Sequence, residues 1–524
     1  MIKEKIKSGK TFLGIELGST RIKASLIDDS FSPIASGSFE WENRLENGYW
    51  TYSLDDVDKG IKACYKALSE EVSERYGVRI ETFGAIGVSA MMHGYLAFDK
   101  EDNLLTPFRT WRNTTTEEAA KILSDAFDFN IPQRWSIAHL YQAILNKEDY
   151  IDKISYITTL SGYIQYMLTG KHEIGIGDAS GMFPVDGADY DNKMLDKFDC
   201  LVKGEKLPCK VRKILPEVKV AGENDSYLTE SGALFLDPTG TLKPGILVCP
   251  PEGDAGTGMV ATNSVLPKTG NISAGTSVFS MLVLEKPLKE RHPEVDIVTT
   301  PSGESVAMVH CNNCSNELDS WVNIFCEFSE LIGLETDKSM VYEKLYNLAL
   351  SGNSDGIAAF NYLSGEHITD IKKGKPMYFR LPEKKMHLAD FIKAQLNSAF
   401  ATLSIGMDIL FREENVRAEL FTAHGGIFKT KGVAQKILAD ALDTPVSVME
   451  TSGEGGAWGM ALLAAYAVLG RDKTLGEWLE SEVFKNDKGT IINPDKEAVR
   501  DFNNYKKLFL SGLKAESALE EIKG

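Results

Sequence analysis

The chain has 524 residues, more than one hydrophobic core usually organises, which sets an expectation of two domains of roughly 250 residues each. A hydrophobic share of 43% beside 25% charged residues is the profile of a compact soluble protein and excludes a largely disordered chain. A formal charge of −18 excludes a general nucleic-acid or anionic-membrane surface, because phosphate backbones are held largely by Lys and Arg, so neither partner is expected.

The basic start, residues 1–10, leads into a strand-like run rather than the apolar core of a signal peptide, and the expected location is the cytoplasm. The longest apolar stretch, Ala457 to Leu469, is too short to span a bilayer and reads as a buried helix. The 7 cysteines are odd in number and scattered, so reduced thiols are expected. Cys311 and Cys314 form a close pair, with no second pair or suitably spaced histidines to complete a metal site.

In chain order, Thr11 to Ile27 reads as two strands of alternating and β-branched residues meeting at Gly18-Ser19-Thr20, a hairpin with a small polar tip. Leu54 to Tyr76 and Thr116 to Phe127 carry helical patterns, and residues 83–90 read as a buried strand. Residues 185–245, rich in charged, Gly and Pro positions, read as an insertion on the first domain. Residues 245–251 form a strand leading into the second half, which puts the domain boundary near 245, with domains at 1–245 and 246–524. Gly270 to Leu284 then repeats the hairpin, with Gly275-Thr276-Ser277 at its tip and about half a chain between the two tips. An internal duplication is the economical explanation. Leu388 to Phe411, Gly432 to Leu442 and Glu454 to Leu469 follow as helices. The alternation predicts an α/β chain, each half a mixed sheet flanked by helices.

Both hairpin tips offer what a phosphate needs: glycine for close backbone approach, outward-pointing amides, and hydroxyls. Two such tips at equivalent positions suit a nucleotide held from both halves. Asp254 follows a strand and precedes small residues that suit a helix start. There it either caps the helix or accepts a proton from an attacking hydroxyl. Glu16 is an acid in an otherwise apolar strand, a costly placement unless it meets a cation, and Mg2+ bridging phosphates would supply one. Met92-His93-Gly94 follows the buried strand. Trp111-Arg112-Asn113 joins a flat ring to strong donors, a combination that suits a sugar. The glycine pairs Gly425-Gly426 and Gly455-Gly456, at two helix starts with Gln435 on the first turn of one of them, leave room for an adenine ring or for close helix packing.

Taken in order, these segments resemble the FGGY carbohydrate kinases over nearly the whole chain. Residues 14–28 are similar to that family's first phosphate loop, residues 88–113 to the sugar segment of its xylulokinase group, and residues 168–182 to a following lid of the first domain. Residues 253–260, 272–278, 424–446 and 453–465 are similar to its catalytic-aspartate segment, second phosphate loop and adenosine-binding pair. The resemblance implies two actin-like ATPase (ribonuclease H-like) domains with a nucleotide and sugar cleft between them, and ATP and Mg2+ as cofactors. It makes Asp254 the base and a metal contact together with Glu16. It places Met92, His93, Gly94, Trp111 and Arg112 at the sugar, and both hairpin tips at the phosphates, Thr276 among them. Gly425, Gly426, Gln435, Gly455 and Gly456 would lie by the nucleoside. The implied partner is a small open-chain sugar, a ketopentose such as D-xylulose or L-ribulose, and a homodimer is a permitted assembly. Two departures stand out: Glu16 where the family has Asp, and Arg112-Asn113 where it has Asn-Asp. With base and sugar segment assigned to different halves, hinge closure near residues 245–255 and 425–455 is expected to assemble the site. The rival from another class is an actin-like ATPase that closes on a protein partner.

Overall fold

The computed structural model describes residues 2–470, 472–487 and 489–521. Two compact units divide the chain: one holds residues up to 265 together with 297–306 and 454–486, the other 266–296, 307–453 and the stretch from 487 onward. The boundary expected at residue 245 therefore falls inside the first unit, and the segment from Glu454 returns to it. Strand pairing is one reason, since Leu247–Val248 and Glu252–Gly253 both pair parallel with Ala85–Ala90.

The sheet of the first unit runs in the order Leu247–Val248, Ala85–Ala90, Thr11–Leu17, Arg21–Asp28, Pro33–Glu40. Thr11–Leu17 and Arg21–Asp28 are the antiparallel arms of the expected hairpin, and Thr11–Leu17 also pairs parallel with Ala85–Ala90. Leu13, Ile15, Leu17, Ile86 and Val88 from these strands are fully buried. One face is covered by the helix Leu54–Tyr76. Ser53 starts it by accepting the Asp56 N–H, two aspartates favour its positive end, and Gly77, at φ 63°, stops it.

The opposite face receives the helix Gly455–Leu469. Gly14 and Gly87 stand in register on adjacent strands. A Cβ at Gly14 would lie 2.1 Å from the Ala457 carbonyl oxygen, and one at Gly87 would lie 2.4 Å from the Met460 methyl. The two glycines form a flat trough that lets the helix settle on the sheet, as close packing of an all-apolar helix requires. This packing gives the second reason that the segment from Glu454 belongs to the first unit. Residues 185–245 are not simply an insertion either: Leu228, Ala233, Leu236 and Leu242 are part of the first unit's core.

The second unit holds most of a seven-stranded sheet, ordered Val295–Thr299, Ser305–Cys311, Val278–Val283, Thr269–Ala274, Leu420–His424, Val446–Val448, Thr490–Ile492. Thr269–Ala274 pairs antiparallel with Val278–Val283 and parallel with Leu420–His424. A hairpin whose first arm also takes a parallel neighbour thus occurs in both units, which is the repeat the sequence pattern predicts. Leu388–Asp408 is helical, and its last turns widen into a π-helical stretch, Ile409–Glu413, that carries the helix past the expected end. Among the described residues no helix is long and apolar enough to cross a membrane.

Candidate active site

At the edge of the first unit's sheet where Thr11–Leu17 and Ala85–Ala90 end, Lys23, Glu16, Ser89 and Glu252 stand in register across four neighbouring strands. Partners in register share a face, so this is a polar row at the edge of an otherwise apolar surface. Glu16 is half-buried. Burial and then the negative charge of Asp254 push its carboxyl up to about 7, against the pull of Lys23 and the backbone N–H of Ala457. A Cβ at Gly456 would sit 2.3 Å from Glu16 Oε1, so this glycine is required where the helix start closes on the carboxylate. Gly456, which the resemblance places by the nucleoside, thus abuts Glu16 within the first unit.

Asp254 opens the helix Asp254–Ala261, and Gly253 rather than Asp254 occupies the capping position. Its Oδ1 accepts the backbone N–H of Met92 at 3.0 Å. Its side chain is half-buried, and burial raises its pKa, an effect that strengthens a proton acceptor. The base and the sugar segment, expected in different halves, therefore meet inside one unit. The cause is the short strand Glu252–Gly253, which pairs with Ser89 and Ala90 and delivers Asp254 to the residues that follow them.

His93 is buried and carries φ 69°, with φ 92° at Gly94, so the sugar segment turns through two successive left-handed residues. With its proton on Nδ1, the His93 ring donates to the Gly181 carbonyl at 3.2 Å, which makes Nε2 the acceptor. Trp135 stacks on the ring with centroids 6.3 Å apart. Trp111 is 39% exposed, and its indole N–H donates to the Ser19 hydroxyl at 3.3 Å, so the sugar segment and the first phosphate tip touch. Arg112 is exposed and lies 3.9 Å over the Trp50 ring. Asn113 is buried and clasps the Trp50 backbone through both ends of its amide, so it is a structural residue. At the tip itself, the Gly18 N–H bonds to the Arg21 carbonyl, and Thr20 is exposed.

In the second unit, Gly275 has open space about its Cβ position. The tip is braced from behind: the Cys314 N–H donates to the Thr276 carbonyl, the Ser315 N–H and hydroxyl both donate to the Gly275 carbonyl, and the Gly275 N–H donates to the Ser277 carbonyl. Gly425, at φ 118°, runs so close to the same hairpin that a Cβ there would lie 2.0 Å from the Ala274 oxygen, whereas Gly426 is open. Gln435, expected beside the nucleoside, is buried, and its amide nitrogen donates to the carbonyls of Val446 and Thr490. Cys311 and Cys314 are both buried free thiols, and burial pushes Cys314 up to about 12.

Three residues at the site were not singled out by sequence pattern. Asp178 and Glu252 are buried acids beside the base, and Ser89 is a buried hydroxyl between Glu16 and Glu252. Glu252 offered the same signal as Glu16, an acid in an apolar run. Of residues 168–182, expected as a lid, Gly170 and His172 are exposed, whereas Glu173 to Met182 are buried and Gly175 and Gly177 close on Glu252.

Two mixed sheets flanked by helices, each carrying a hairpin with a small polar tip, agree with the α/β architecture expected of a sugar kinase, and the family models decide the class. The model of the FGGY family's N-terminal domain matches residues 11–236 and that of its C-terminal domain residues 270–468, and the chain belongs to this family of carbohydrate kinases. It is 23% identical over 456 residues to the xylulose kinase of Haemophilus influenzae, covering 82% of this chain and 84% of the relative. To the gluconokinase of Bacillus subtilis it is 21% identical over 481 residues, covering 87% of each. The solved structure of a xylulose kinase from Lactobacillus acidophilus superposes with a TM-score of 0.75 at 16% identity, over 98% of each chain, and so shares the fold.

Proposed function

We propose that this carbohydrate kinase transfers the γ-phosphoryl group of ATP to a hydroxyl of a ketopentose, D-xylulose or L-ribulose, with Asp254 as general base. The observation that supports it is the 3.0 Å bond from the Met92 N–H to Asp254 Oδ1, which puts the segment resembling a ketose site against a proton acceptor. The bond fixes one carboxylate oxygen and points the other away from Met92, so the base is oriented before the sugar arrives. His93, held by Gly181 and Trp135, presents Nε2 to accept a sugar hydroxyl, and a hydroxyl so held is denied the freedom to turn from the base.

The residues present also fit a divalent cation. The negative charge of Asp254 raises the cost of ionising Glu16, with Lys23 the opposing charge, and a cation would relieve that cost. Two carboxylates with room for phosphate oxygens and water suit Mg2+, which rarely takes an all-protein cage. When bound, Mg2+ neutralises charge on the phosphate oxygens. Gly18-Ser19-Thr20 and Gly275-Thr276-Ser277 supply amide and hydroxyl donors for those oxygens.

The decisive experiment is ATP consumption measured against D-xylulose, L-ribulose, D-gluconate and glycerol, with a no-sugar control. Stimulation by one of the two ketopentoses well above the others is expected. A preference for gluconate or glycerol would refute the ketopentose assignment. Equal consumption without any sugar would return the ATPase that closes on a protein partner.

A further inference from the structure

The second hairpin tip, Gly275-Thr276-Ser277, is held by bonds that the mechanism above does not use. The Gly275 carbonyl accepts the Ser315 N–H at 3.1 Å and the Ser315 hydroxyl at 2.6 Å, and the Thr276 carbonyl accepts the Cys314 N–H at 2.9 Å. In a planar trans peptide the C=O of one residue and the N–H of the next point in opposite directions. Drawing these two carbonyls toward residues 314–315 therefore turns the N–H groups of Thr276 and Ser277 to the other side, where Thr276 is exposed. Successive N–H groups turned outward at such a tip form a concavity that suits an anion. Ser315 also stands at the capping position of the helix Asn316–Leu331, yet its side chain does not cap that helix and goes to the tip instead.

Residues 314–315 are themselves anchored. Just ahead of them, Glu366 Oε2 accepts the backbone N–H groups of Asn312 and Asn313 at 2.8 and 3.3 Å. The Asn313 amide is the centre of the arrangement. Its oxygen accepts the N–H groups of Leu363 and Ser364 at 2.9 and 3.0 Å and the Ser364 hydroxyl at 3.2 Å. Its nitrogen donates to Glu366 Oε2 at 3.2 Å and to the Ser364 carbonyl at 3.3 Å. Both donors and the acceptor of this amide are thus taken up within the protein. Asn361 adds a bond from its amide nitrogen to the Cys314 carbonyl at 2.8 Å. Asn313, Asn361 and Glu366 are all buried, so water is a poor substitute for the bonds they make.

We propose that Asn313 is a positioning residue for ATP: it ties residues 312–315 to the 361–366 segment, and the anchored segment holds the second tip with the N–H groups of Thr276 and Ser277 aimed at the phosphates. The proposal rests on this tip meeting the phosphates, as assigned above. Asn313 touches neither nucleotide nor sugar, and its effect passes through Cys314 and Ser315. Every bond in this chain of contacts lies in the second unit, whereas Met92, His93 and Asp254 lie in the first, so the effect is confined to the nucleotide side.

Steady-state kinetics with ATP and whichever of D-xylulose, L-ribulose, D-gluconate and glycerol the wild type uses best test this. Asn313→Ala should raise the ATP KM at least ten-fold and leave the sugar KM within two-fold. Ser315→Ala, which removes only the hydroxyl on the Gly275 carbonyl, should raise the ATP KM about three- to ten-fold, and Ser315→Thr, which keeps a hydroxyl, should return it to within two-fold of wild type. Compared as kcat/KM for ATP, the loss from Ser315→Ala should largely vanish in an Asn313→Ala background, because the two residues act on one tip. An unchanged ATP KM, an equal rise in the sugar KM, or additive losses would overturn the proposal. If Asn313→Ala does not fold, the Ser315 variants decide: no rise with Ala, or a rise that Thr does not reverse, would overturn it. Thr276→Glu separates this from the reading beneath it, since a negative charge on the exposed tip should raise the ATP KM at least ten-fold. An ATP KM unmoved by Thr276→Glu removes the phosphates from the tip, whereas a rise there with none from Asn313→Ala or Ser315→Ala overturns the positioning role alone.

Discussion

On the proposed mechanism the carboxylate of Asp254 has two jobs, and two substitutions separate them. One oxygen accepts the Met92 N–H at 3.0 Å, and the other would take the proton of the sugar hydroxyl. Asp254→Asn keeps an oxygen for Met92 and loses only the basic function. A positioned general base contributes about 10²–10⁴ in rate, so kcat should fall by that factor, about 2.7–5.4 kcal/mol, with the sugar KM within three-fold. Asp254→Ala removes the acceptor as well, and Met92 is only 6% exposed, so its N–H is left without easy access to water. An orphaned buried donor costs about 1–3 kcal/mol, which should appear as a further five- to hundred-fold rise in the sugar KM. A coupled ATP-consumption assay at varied sugar gives both constants, and calorimetric titration with ADP should show affinity within a few-fold of wild type for both variants. Turnover by Asp254→Asn within ten-fold of wild type would remove Asp254 from the mechanism. Equal sugar KM values for the Asn and Ala variants would show that the Met92 bond does not hold the sugar segment.

Gly456→Ala places a methyl 2.3 Å from Glu16 Oε1 and 2.9 Å from Thr257 Oγ1, so Glu16 must move. Overpacking of this kind costs about 1–3 kcal/mol, and a lowered Tm together with a raised Mg2+ requirement for turnover is expected; no change in either would dissociate Glu16 from the cation. Glu366 in the second unit is 1% exposed and accepts the N–H groups of Asn312 and Asn313. Burial nevertheless pushes its carboxyl from 4.5 up to about 7. The folded state then binds more protons than the unfolded one between those values, so the contribution of Glu366 to stability is full below about pH 4.5 and is lost as pH rises through 7. Glu366→Gln should therefore gain on the wild type between pH 5 and pH 8, by up to about 3 kcal/mol in denaturant unfolding, and a pH-independent difference would contradict the assignment.

The local parts of this fold were legible because short-range chemistry decides them. Alternating residues around a Gly-Ser-Thr tip leave little choice but a hairpin, and a serine cap, acidic first turn and terminal glycine bound the helix Leu54–Tyr76. Asp254 was legible as a base or a cap, since a strand followed by small residues permits both, and the family resemblance favoured the first. What the sequence concealed is long-range. A two-residue strand, Glu252–Gly253, has no periodicity to detect, yet its pairing with Ala85–Ala90 places the base in the first unit. The helix Gly455–Leu469 is apolar on every side and gives no sign of which sheet it covers, and the trough that receives it exists only once Gly14 and Gly87 are in register. Gln435 is another long-range case, a polar side chain at a helix start whose amide donors are spent on two carbonyls that no local pattern connects to it.

That long-range pairing changes what folding has to accomplish for catalysis. With the base assigned to one half and the sugar segment to the other, the acceptor hydroxyl and its proton acceptor would meet only on closure. In the structure, parallel pairing within a single sheet brings Met92, His93 and Asp254 together, and Glu252 fixes the backbone of residues 177–178, just ahead of the Gly181 carbonyl that meets the His93 ring. Strand pairing and buried hydrogen bonds are among the most rigid supports a protein offers, so the acceptor side of the reaction is set by the stability of the first unit. Substitutions that loosen these contacts should therefore act on sugar binding even where they leave the nucleotide untouched, and the four acids of the site divide accordingly. On the proposed mechanism Glu16 and Asp254, half-buried, face the chemistry, whereas Glu252, bonded to the 177–178 backbone, and Asp178, bonded to the Thr159 and Ser161 hydroxyls, are buried among structural hydrogen bonds.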